Sequence, residues 1–553
     1  MVPNLNMMHA ICVVLLVDVC VKTHAELFTA IAEVEYLLGT HKRIIDDLDF
    51  YINKEEDRLA TLKRHLNLYK KEHERAMEDI PNYLGNPINA FTLIKRLTTD
   101  LDYIEDSIKI GTEYIKNVTM NHEDAKYPAL EDLTGAAQAL TRLQETYHLD
   151  VKELAEGKLN GVAYSTPMTA GDCYELGRVL YKEGDFVNAR AWMVEALRKY
   201  NEEKVPYSFT DADILEYISF SYYLLGDTRN ALDWTEKLLI VDPKHSRAKG
   251  NVPHYQKSIA EEEARLRKER RGETGTVKQE DKPVELSEYA KERKTYEALC
   301  RGDMDIPIEI SSRLTCRYMS ENHPFLKIAP IKMEMMYLQP DVVVFHDVLS
   351  DNEIETIKEM SRPRFKRAVV HDPKTGELVP AHYRISKSAW IRDSEHDVIA
   401  RLSRRVKHMT GLSMDSAEEL QVVNYGIGGH YEPHYDFARK RENAFTKFGG
   451  NRIATVLFYM TDVAQGGATV FTELGLSVFP KKGAAAFWLN LHASGEGDLA
   501  TRHAACPVLQ GSKWVCNKWL HQGGQELLKP CDLEYQKEGI VRKLLRPVPK
   551  TSR

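Results

Sequence analysis

The sequence predicts a multidomain α+β protein, with helical domains towards the amino terminus and a double-stranded β-helix, or jelly roll, towards the carboxyl terminus. A heptad pattern of apolar residues beginning at Ile31 predicts a coiled-coil helix, and a degenerate repeat over residues 171–243 predicts a tetratricopeptide-like module. Beyond residue 331 the apolar spacing changes to that of short strands. Because 553 residues are too many for one hydrophobic core, several domains are expected.

The composition is typical of a globular protein that binds neither nucleic acid nor membranes. Hydrophobic residues make up 43% of the chain and charged residues 28%. The formal net charge of -7 provides no basic field for nucleic acid, and no cluster of Lys and Arg adjoins an apolar span. No transmembrane span is predicted.

Residues 1–25 have the pattern of a secretory signal peptide. The apolar run Ala10–Val17 is too short to span a bilayer, which takes about 20 residues, but it suits the core of a signal that is cleaved near Ala25. Because no Lys or Arg precedes the run, an uncleaved cytosolic start is the alternative. The sequon at Asn117, a candidate glycosylation site, agrees with secretion.

Residues 26–150 are predicted to form a helical dimerisation domain. A coiled coil and self-association are expected because apolar residues occupy the a and d positions over more than four heptads. The residues of this seam are Ile31, Val34, Leu38, Ile45, Leu48, Ile52, Leu59, Leu62, Leu66 and Tyr69. The alternative is an amphipathic helix that packs on its own domain. After a break at residues 80–87, helical sequence extends to about Tyr147.

Residues 160–260 are predicted to form a domain of two tetratricopeptide-like helix pairs. Gly184-Asp and Gly226-Asp recur 42 residues apart, longer than the usual unit, so an insertion near residues 202–209 should separate the pairs. The resulting groove suits a proline-rich peptide, which loses little entropy on docking because it is already extended. The alternative is that its tyrosines fill the helical core. These residues are Tyr174, Tyr181, Tyr217, Tyr222 and Tyr223.

The remaining chain is predicted to contain a charged connecting segment over residues 261–330 and a β-rich domain over residues 331–535. Ser350 and Glu353 form a capping box for one helix, and a second helix is expected between residues 394 and 411. The predicted strands are 341–345, 420–425, 453–459, 469–471, 484–490 and 513–519. Their spacing indicates a jelly roll.

A candidate metal site lies at the centre of this β-rich domain. His434 and Asp436 are two residues apart, so on a strand both side chains leave the same face and can reach one ion. His503 is placed to return on a neighbouring strand as a third ligand. Two imidazoles and one carboxylate leave coordination positions open, as in non-heme Fe(II) oxygenases. Further along, Lys513 is a cation that could anchor the far carboxylate of an iron-chelating keto acid.

Two other His-x-Asp pairs show that this spacing is weak evidence by itself. His122–Asp124 and His148–Asp150 lie in sequence rich in Glu and Asp, which is typical of solvated helices. Neither is followed by a histidine and a cation in a β-rich setting. Each pair is therefore predicted to be exposed and polar, and only the full set of four residues predicts a metal site.

Six cysteines follow the predicted signal peptide. Cys300 lies close in sequence to Cys316, and Cys506 lies close to Cys531. Both spacings are compatible with small disulfide loops in an oxidising compartment, although sequence alone leaves the connectivity open. A thiolate ligand is not expected beside Fe(II) and O2, because it would be oxidised.

The sequence resembles the 2-oxoglutarate-dependent prolyl 4-hydroxylases, and most closely the collagen prolyl 4-hydroxylase α subunits. The resemblance covers the chain beyond the predicted signal peptide. The motifs that carry it are Asn424-Tyr-Gly426, His430-Tyr-Glu-Pro-His-Tyr-Asp-Phe-Ala438, Asn451-Arg-Ile-Ala-Thr455, Gly466-Gly-Ala-Thr-Val-Phe471, Ser494-Gly-Glu-Gly497, Arg502-His-Ala-Ala-Cys-Pro507 and Lys518-Trp-Leu520.

The resemblance implies a reaction and a co-substrate site. Tyr425, Thr469 and Lys513 should bind 2-oxoglutarate, and Trp519 should line the same pocket. The implied reaction is hydroxylation of peptidyl proline at C4 in collagen-like X-Pro-Gly sequences, coupled to decarboxylation of 2-oxoglutarate to succinate and CO2. The implied cofactors are Fe(II), 2-oxoglutarate as co-substrate, O2 and L-ascorbate.

The resemblance also implies a substrate groove, disulfides and a partner. Tyr217 and Tyr223 should contact a proline-rich, collagen-like peptide, and the disulfides should be Cys300–Cys316 and Cys506–Cys531. The chain should work in the endoplasmic reticulum lumen with protein disulfide isomerase as β subunit, in an α2β2 tetramer built on the coiled coil. Because the sequence ends in Lys-Thr-Ser-Arg553, not in a retention address, that partner is expected to hold it there.

Two other functions are open at this point. Lysyl hydroxylases resemble this layout, but they have an arginine where Lys513 stands and lack the tyrosine-rich repeat. A non-catalytic collagen chaperone would use only the groove, and the complete set of metal ligands argues against it. Iron-dependent release of succinate on a proline-rich peptide separates a chaperone from an enzyme.

Overall fold

The computed structural model describes residues 31–109, 130–270, 287–371, 378–380, 383–426, 428–439, 445, 449–531 and 548–549. The predicted signal peptide at residues 1–25, the sequon at Asn117 and the pair at residues 122–124 lie outside the described residues. The chain forms two compact units, Met1–Glu74 and Arg75–Arg553. Every predicted site residue falls in the second unit.

The described part of the first unit belongs to a long helix, α1, which covers Ile31–Glu78 and therefore ends just beyond the unit boundary. Its 48 residues confirm the predicted helix. The heptad residues Ile52, Leu59 and Leu66 are each about half exposed, at 47%, 48% and 52%. An apolar seam that a single chain leaves in water agrees with association of the helix, although the helix alone does not establish a coiled coil. Within the described part of the chain, no helix is both long enough and apolar enough to cross a membrane.

Five shorter helices and a small hairpin, here called the helical layer (residues 75–163), begin the second unit. The helices are α2 Ile80–Gly85, α3 Pro87–Arg96, α4 Thr99–Lys109, α5 Leu130–Tyr147 and α6 Val151–Ala155, and the hairpin is β1 Lys158–Leu159 with β2 Val162–Ala163. The predicted break at residues 80–87 is a junction between helices. Asn86 caps α3 by accepting hydrogen bonds from the backbone N–H groups of Ile88 and Asn89, and a proline follows as the first helical residue.

The tetratricopeptide-like module consists of two helix pairs and a final long helix. Its helices are α7 Ala170–Lys182, α8 Phe186–Glu203, α9 Asp211–Leu224, α10 Thr228–Val241 and α11 Ser246–Arg270. Both pairs turn at the same corner: Gly184 and Gly226 have φ angles of +83° and +82°, and the aspartate after each caps the next helix. The predicted insertion near residues 202–209 forms the connection between α8 and α9.

The predicted connecting segment at residues 261–330 is folded over much of its length, which differs from the expectation of a linker. Helix α12, Glu288–Arg301, packs on the β domain through Tyr296 and Leu299, which are 1% and 0% exposed. Its apolar residues recur at helical spacing, so a high overall charge concealed a buried face. Strand β3 Met304–Asp305 and helix α13 Ile308–Ser311 follow.

A nine-stranded antiparallel sheet and a four-stranded sheet form the carboxyl-terminal domain. In spatial order the large sheet consists of β4 Cys316–Met319, β5 Ile331–Tyr337, β6 Val342–His346, β17 Ala485–Leu489, β13 Arg452–Tyr459, β20 Trp514–His521, β11 Leu420–Tyr425, β10 Ser386–Ile391 and β7 Lys366–Arg367. The small sheet consists of β12 Tyr431–His434, β18 His503–Ala505, β15 Thr469–Phe471 and β16 Leu476–Val478.

Smaller elements complete this domain. The predicted helices are present as α14 Asp351–Ser361, which has the Ser350–Glu353 capping box, and α15 Asp397–Thr410. The remaining two-stranded pairs are β8 Val369–His371 with β9 Leu378–Pro380, β14 Gln465–Gly466 with β19 Val508–Gln510, and β21 Val548–Pro549 with β3.

From β11 to β20 the chain alternates between the two sheets, and this alternation places the site. Val423 and Leu457 of the large sheet share one buried cluster with Phe471 and Leu476 of the small sheet. Side chains of both sheets therefore pack face to face. His503 pairs with Phe471 in the small sheet, and its ring lies 4.8 Å from that of Trp488 in the large sheet, so the site lies between the two sheets.

One disulfide in the structure corrects the implied pairing. Cys300 at the end of α12 bonds to Cys506 beside β18, with the Cα atoms 5.5 Å apart, while Cys316 and Cys531 are exposed free thiols. The implied pairs joined cysteines that are neighbours in sequence. Packing of α12 against the small sheet instead brings together two cysteines 206 residues apart.

Candidate active site

The structure brings the three predicted metal ligands together between the two sheets. His434 on β12 is the register partner of His503 on β18, and Asp436 follows β12 by two residues. The His434 Nε2 lies 3.7 Å from Asp436 Oδ1, and the His503 Nε2 lies 3.6 Å from Asp436 Oδ2. Among the described residues, this is the one group of three or more His, Cys, Asp and Glu side chains close enough to hold a metal ion.

The backbone sets the tautomer of both imidazoles. His434 Nδ1 is 2.8 Å from the carbonyl oxygen of Glu432, and His503 Nδ1 is 2.8 Å from that of Thr501. A carbonyl oxygen can only accept, so each Nδ1 carries the proton and donates it. Each Nε2 therefore presents its lone pair towards Asp436, as a metal ligand requires.

Two hydrogen bonds orient the carboxylate of Asp436. Its Oδ2 accepts from the Thr455 hydroxyl at 2.7 Å and from the Trp519 indole N–H at 2.9 Å. The Oδ1 atom is left on the side of His434. Trp519 was expected to line the co-substrate pocket, and the structure places it against a metal ligand. Thr455 belongs to a motif of the sequence, but the motif gave it no role.

The electrostatics of His434 and Asp436 favour the forms that bind a metal. Burial, and then the neighbouring His503, lower the pKa of His434. Burial alone would raise the pKa of Asp436, but the two imidazoles and Arg452 outweigh it, so that pKa is lowered. At neutral pH the site thus combines a neutral imidazole with an ionised carboxylate.

A charged network behind Trp519 is a feature that the sequence reasoning missed. The guanidinium of Arg452 lies 3.9 Å from the centre of the Trp519 ring and donates from Nη2 to Glu418 at 2.9 Å. Glu418 also contacts His521 Nε2 at 2.8 Å. Arg452 opens an otherwise apolar strand, Arg-Ile-Ala-Thr-Val-Leu-Phe, and that isolated charge was the available signal.

Lys513 lies beside the Tyr425 ring and is 1% exposed. Its Nζ is 4.9 Å from the centre of the Tyr425 ring, and burial lowers its pKa to about 7. Among the residues that the structure describes, no carboxylate forms an ion pair with it. A buried ammonium without a counter-ion is unfavourable, and its environment suits an incoming anion.

Thr469 and Tyr425 are in a state to donate hydrogen bonds beside Lys513. Thr469, on β15 and 2% exposed, accepts from the Tyr459 hydroxyl at 2.9 Å, which leaves its own hydroxyl hydrogen to donate. Burial raises the pKa of Tyr425 to about 12, so its phenol keeps its proton. The structure therefore brings together the three residues expected to bind 2-oxoglutarate.

The two expected peptide contacts lie in separate aromatic clusters of the repeat module. Tyr217 packs edge-on against Tyr174 and Tyr181, with ring centres 5.9 Å and 5.0 Å away. Tyr223, two turns further along α9, packs on Tyr255 at 4.9 Å and hydrogen-bonds His254 at 3.0 Å. Both rings are half-buried, so each serves the packing of helices as well as the surface.

The predicted exposed pair differs in every respect from the site. His148 and Asp150 are exposed, and Asp150 caps α6 by accepting from the backbone N–H of Glu153 at 3.0 Å. The prediction that this pair is exposed and polar is confirmed.

Models of three protein regions match the chain. The prolyl 4-hydroxylase α-subunit N-terminal region matches residues 30–161, and the prolyl 4-hydroxylase peptide-substrate-binding domain matches residues 170–261. The 2OG-Fe(II) oxygenase superfamily matches residues 420–521, which contain all three metal ligands and Lys513.

Relatives match over nearly their whole length. Prolyl 4-hydroxylase subunit alpha-1 of Gallus gallus is 46% identical over 519 residues, which are 92% of this chain and 99% of that protein. Subunit alpha-1 of Homo sapiens is 44% identical (92% and 96%), and subunit alpha-2 of Caenorhabditis elegans is 46% identical (92% and 94%). The chain belongs to the prolyl 4-hydroxylase α-subunit family and is a dioxygenase that depends on Fe(II) and 2-oxoglutarate.

Proposed function

We propose that the chain hydroxylates peptidyl proline at C4 in collagen-like X-Pro-Gly sequences, with His434, Asp436 and His503 as the ligands of Fe(II). One observation carries this proposal. A facial set of two imidazoles and a carboxylate shares its pocket with a buried cation, Lys513, that has no carboxylate partner among the described residues. The donor set suits Fe(II), and the cation suits the dicarboxylate co-substrate.

The residues of the pocket have different proposed roles in binding 2-oxoglutarate. Lys513 pairs with the C5 carboxylate, while Tyr425 and Thr469 donate hydrogen bonds to it. Trp519 and Thr455 hold Oδ2 of the aspartate ligand. When bound, iron and 2-oxoglutarate supply the oxygen chemistry: one atom of O2 enters the C4–H bond of proline and the other enters succinate as CO2 leaves. L-ascorbate reduces the iron after turnovers that are not coupled to hydroxylation.

The two-sheet domain supports a jelly-roll assignment, because its strands alternate between sheets from β11 to β20. In the repeat module, Tyr217 and Tyr223 are proposed to contact the peptide. They would hold it both before and after its proline reacts at the iron site. A polyproline II segment presents flat pyrrolidine faces at regular spacing, which suits two aromatic clusters along one helix.

The family resemblance and α1 support a proposal for assembly and location. The proposed enzyme is an α2β2 tetramer in the endoplasmic reticulum lumen, with protein disulfide isomerase as β subunit. The exposed seam at Ile52, Leu59 and Leu66 supports self-association through a coiled coil. Residues 1–25 are the proposed signal peptide, and Asn117 is a proposed glycosylation site.

Mass spectrometry of a (Pro-Pro-Gly) repeat peptide tests the proposed activity. The peptide is incubated with the protein, Fe(II), 2-oxoglutarate and ascorbate, and the expected product gains one oxygen on the proline that precedes glycine. Succinate should appear in equal amount. Oxygen on lysine of a Lys-containing peptide, or peptide binding without any iron-dependent succinate, would assign the chain to lysyl hydroxylation or to a chaperone role.

A further inference from the structure

The helical layer touches the β domain beside the Lys513 end of the pocket. The contact is made on β14 and β19, a two-stranded pair at the edge of the small sheet. Leu509 of β19 is 1% exposed and is part of the apolar core of the helices, not of the sheets. The backbone N–H of Gly511 donates to the carbonyl of Gly85 at 3.0 Å. Strand β19 therefore belongs to both parts of the second unit.

Tyr147, the last residue of α5, makes the most deeply placed polar contact. Its hydroxyl donates to the carbonyl oxygen of Pro507 at 2.5 Å, and the same oxygen accepts from the N–H of Gly467 at 3.0 Å. A Cβ added at Gly466 would lie 2.6 Å from the Tyr147 hydroxyl. The phenol thus occupies space that only a glycine at that position leaves open.

The turn that Tyr147 holds forms one wall of the Lys513 side chain. Gly466 and Gly467 have φ angles of +77° and +68°, which makes the turn depend on glycine. A Cβ added at Gly467 would lie 3.4 Å from the Lys513 Cδ, so the turn runs close beside the aliphatic part of the lysine, with room for about one methyl group between them. Two residues later the same segment reaches Thr469.

The second contact lies just before Lys513 in the chain. A Cβ added at Gly85 would lie 2.5 Å from the carbonyl carbon of Gly511, so the two backbones meet without room for a side chain. Gly511 precedes Lys513 by two residues. The helical layer therefore contacts the chain just before Lys513. It also contacts the turn that lies beside the aliphatic part of the Lys513 side chain.

We propose that Tyr147 and Gly85 are positioning residues for 2-oxoglutarate, acting through the two turns that enclose Lys513; this rests on the proposed role of Lys513 as the anchor of the C5 carboxylate. No carboxylate of the described residues fixes the ammonium, so packing alone sets where it lies. An anchor must be held to within a fraction of an ångström to pair with a chelated co-substrate. The layer that begins the second unit supplies that support.

Two variants of the full chain test the inference. Tyr147→Phe removes only the hydroxyl, and the loss of one buried hydrogen bond should weaken 2-oxoglutarate binding about three- to tenfold. Gly85→Ala forces the two backbones apart and should weaken it about tenfold or more. Calorimetric titration of 2-oxoglutarate into the Mn(II)-loaded protein measures the affinity directly. Turnover should show a raised KM for 2-oxoglutarate with kcat and the KM for peptide unchanged.

Matched controls separate positioning from general stability. Tyr164→Phe removes a hydroxyl at the same contact, where that hydroxyl accepts from the Gln465 side chain at 3.0 Å. Gly135→Ala adds a methyl group in α5 at a position where no other atom lies within 4 Å. Both should bind 2-oxoglutarate as the parent does. Equal Mn(II) affinity and equal thermal midpoints in Tyr147→Phe and the parent would show that the fold is intact.

The outcomes distinguish this inference from the function on which it rests. Unchanged 2-oxoglutarate affinity in both test variants, with affinity lost in Lys513→Ala, would overturn the positioning role and leave the anchor in place. Parallel losses of metal affinity and kcat would overturn it in favour of a purely structural role. Full affinity in Lys513→Ala would remove the anchor itself, and with it this inference.

Discussion

Two buried lysines, Lys95 in the helical layer and Lys513 in the β domain, differ in whether carboxylates pair with them. Both are nearly inaccessible, at 8% and 1% exposure. The Lys95 Nζ lies 2.6 Å from Asp100 and 3.3 Å from Asp172. Burial opposes its charge, but the two carboxylates outweigh burial and raise its pKa. Lys513 has the burial without the carboxylates, and its pKa falls to about 7.

The difference separates a structural charge from one kept for a ligand. Lys95 closes a network inside the protein, because Asp172 also accepts from the backbone N–H of Thr169 at the start of α7. Removing Lys95 would take a buried ammonium away from two carboxylates. Among the described residues, Lys513 takes part in no such network, and its burial has a physical rationale only if the site binds an anion. A buried unpaired cation therefore marks a binding site more reliably than a buried ion pair.

The largest expected effect is the loss of turnover when a ligand is removed. Asp436→Ala takes away the carboxylate that Thr455 and Trp519 orient, so iron-dependent succinate release should fall at least about a thousandfold, by analogy with removal of a central catalytic group. His434→Ala and His503→Ala should behave alike. Rapid-quench assays of succinate, together with circular dichroism of the folded protein, measure both consequences.

The exposed His-x-Asp pair supplies the matched control for that experiment. Asp150→Asn keeps the cap of α6 and alters the same sequence pattern away from the site. It should leave turnover unchanged. Near-normal activity in any of the three ligand variants would contradict the assignment of that ligand.

The second largest effect concerns 2-oxoglutarate and the unpaired lysine. Lys513→Ala leaves the C5 carboxylate without its partner in a desolvated pocket, which should weaken binding by about 3 to 5 kcal/mol. Metal affinity should not change, because the iron ligands are untouched. Lys513→Arg should recover part of the affinity, since the charge remains in a different geometry. An unchanged titration of the alanine variant would make Lys513 a structural residue only.

The sequence predicted His434 and Asp436 as a pair because strand geometry is a local property, whereas Tyr425, Thr469 and Trp519 were named only through the family resemblance. The two-residue step from His434 to Asp436 follows from the period of a strand. Thr455, Arg452 and Glu418 were not found, because they reach the site from strands and turns that only the folded sheet brings together.

The disulfide and the connecting segment show the same limit. Closeness in sequence favoured Cys300 with Cys316, whereas packing of α12 on the small sheet places Cys300 beside Cys506. The high charge of residues 261–330 predicted a linker, because it masked the apolar face of α12 that packs on the β domain. In contrast, β11 and β15 were predicted with their observed ends, because buried apolar runs bounded by turns leave little choice of register.

A third effect sets the two lysines directly against each other in stability. Lys95→Met removes the ammonium that pairs with both Asp100 and Asp172, and the free energy of unfolding should fall by about 3 kcal/mol. Lys513→Met should do the opposite in protein free of 2-oxoglutarate. The pKa of Lys513 is lower in the folded state than in the unfolded state, so the unfolded state binds more protons between about pH 7 and 10. At pH 8 this difference lowers the free energy of unfolding of the parent by about 3 kcal/mol, and the variant should regain that amount.

Denaturant midpoints of both variants and the parent at pH 8 measure this contrast. Parent stability should rise with pH across that window, and the rise should disappear in Lys513→Met. Addition of 2-oxoglutarate should stabilise the parent but not this variant. If both methionine variants were destabilised equally, the two lysines would be alike and the comparison would be wrong.

The smallest effect is a pH dependence of 2-oxoglutarate affinity that belongs to Lys513 alone. The free lysine has a pKa near 7, lowered by burial, and pairing with a carboxylate raises it, so binding above pH 7 takes up a proton. The dissociation constant should therefore be lowest below pH 7 and should rise about tenfold per pH unit above it. Lys513→Arg should bind more weakly but without that rise, because a guanidinium stays charged throughout. Calorimetry of the Mn(II)-loaded protein in buffers of different ionisation enthalpy counts the proton, and an equal slope in the arginine variant would transfer the titration to another group.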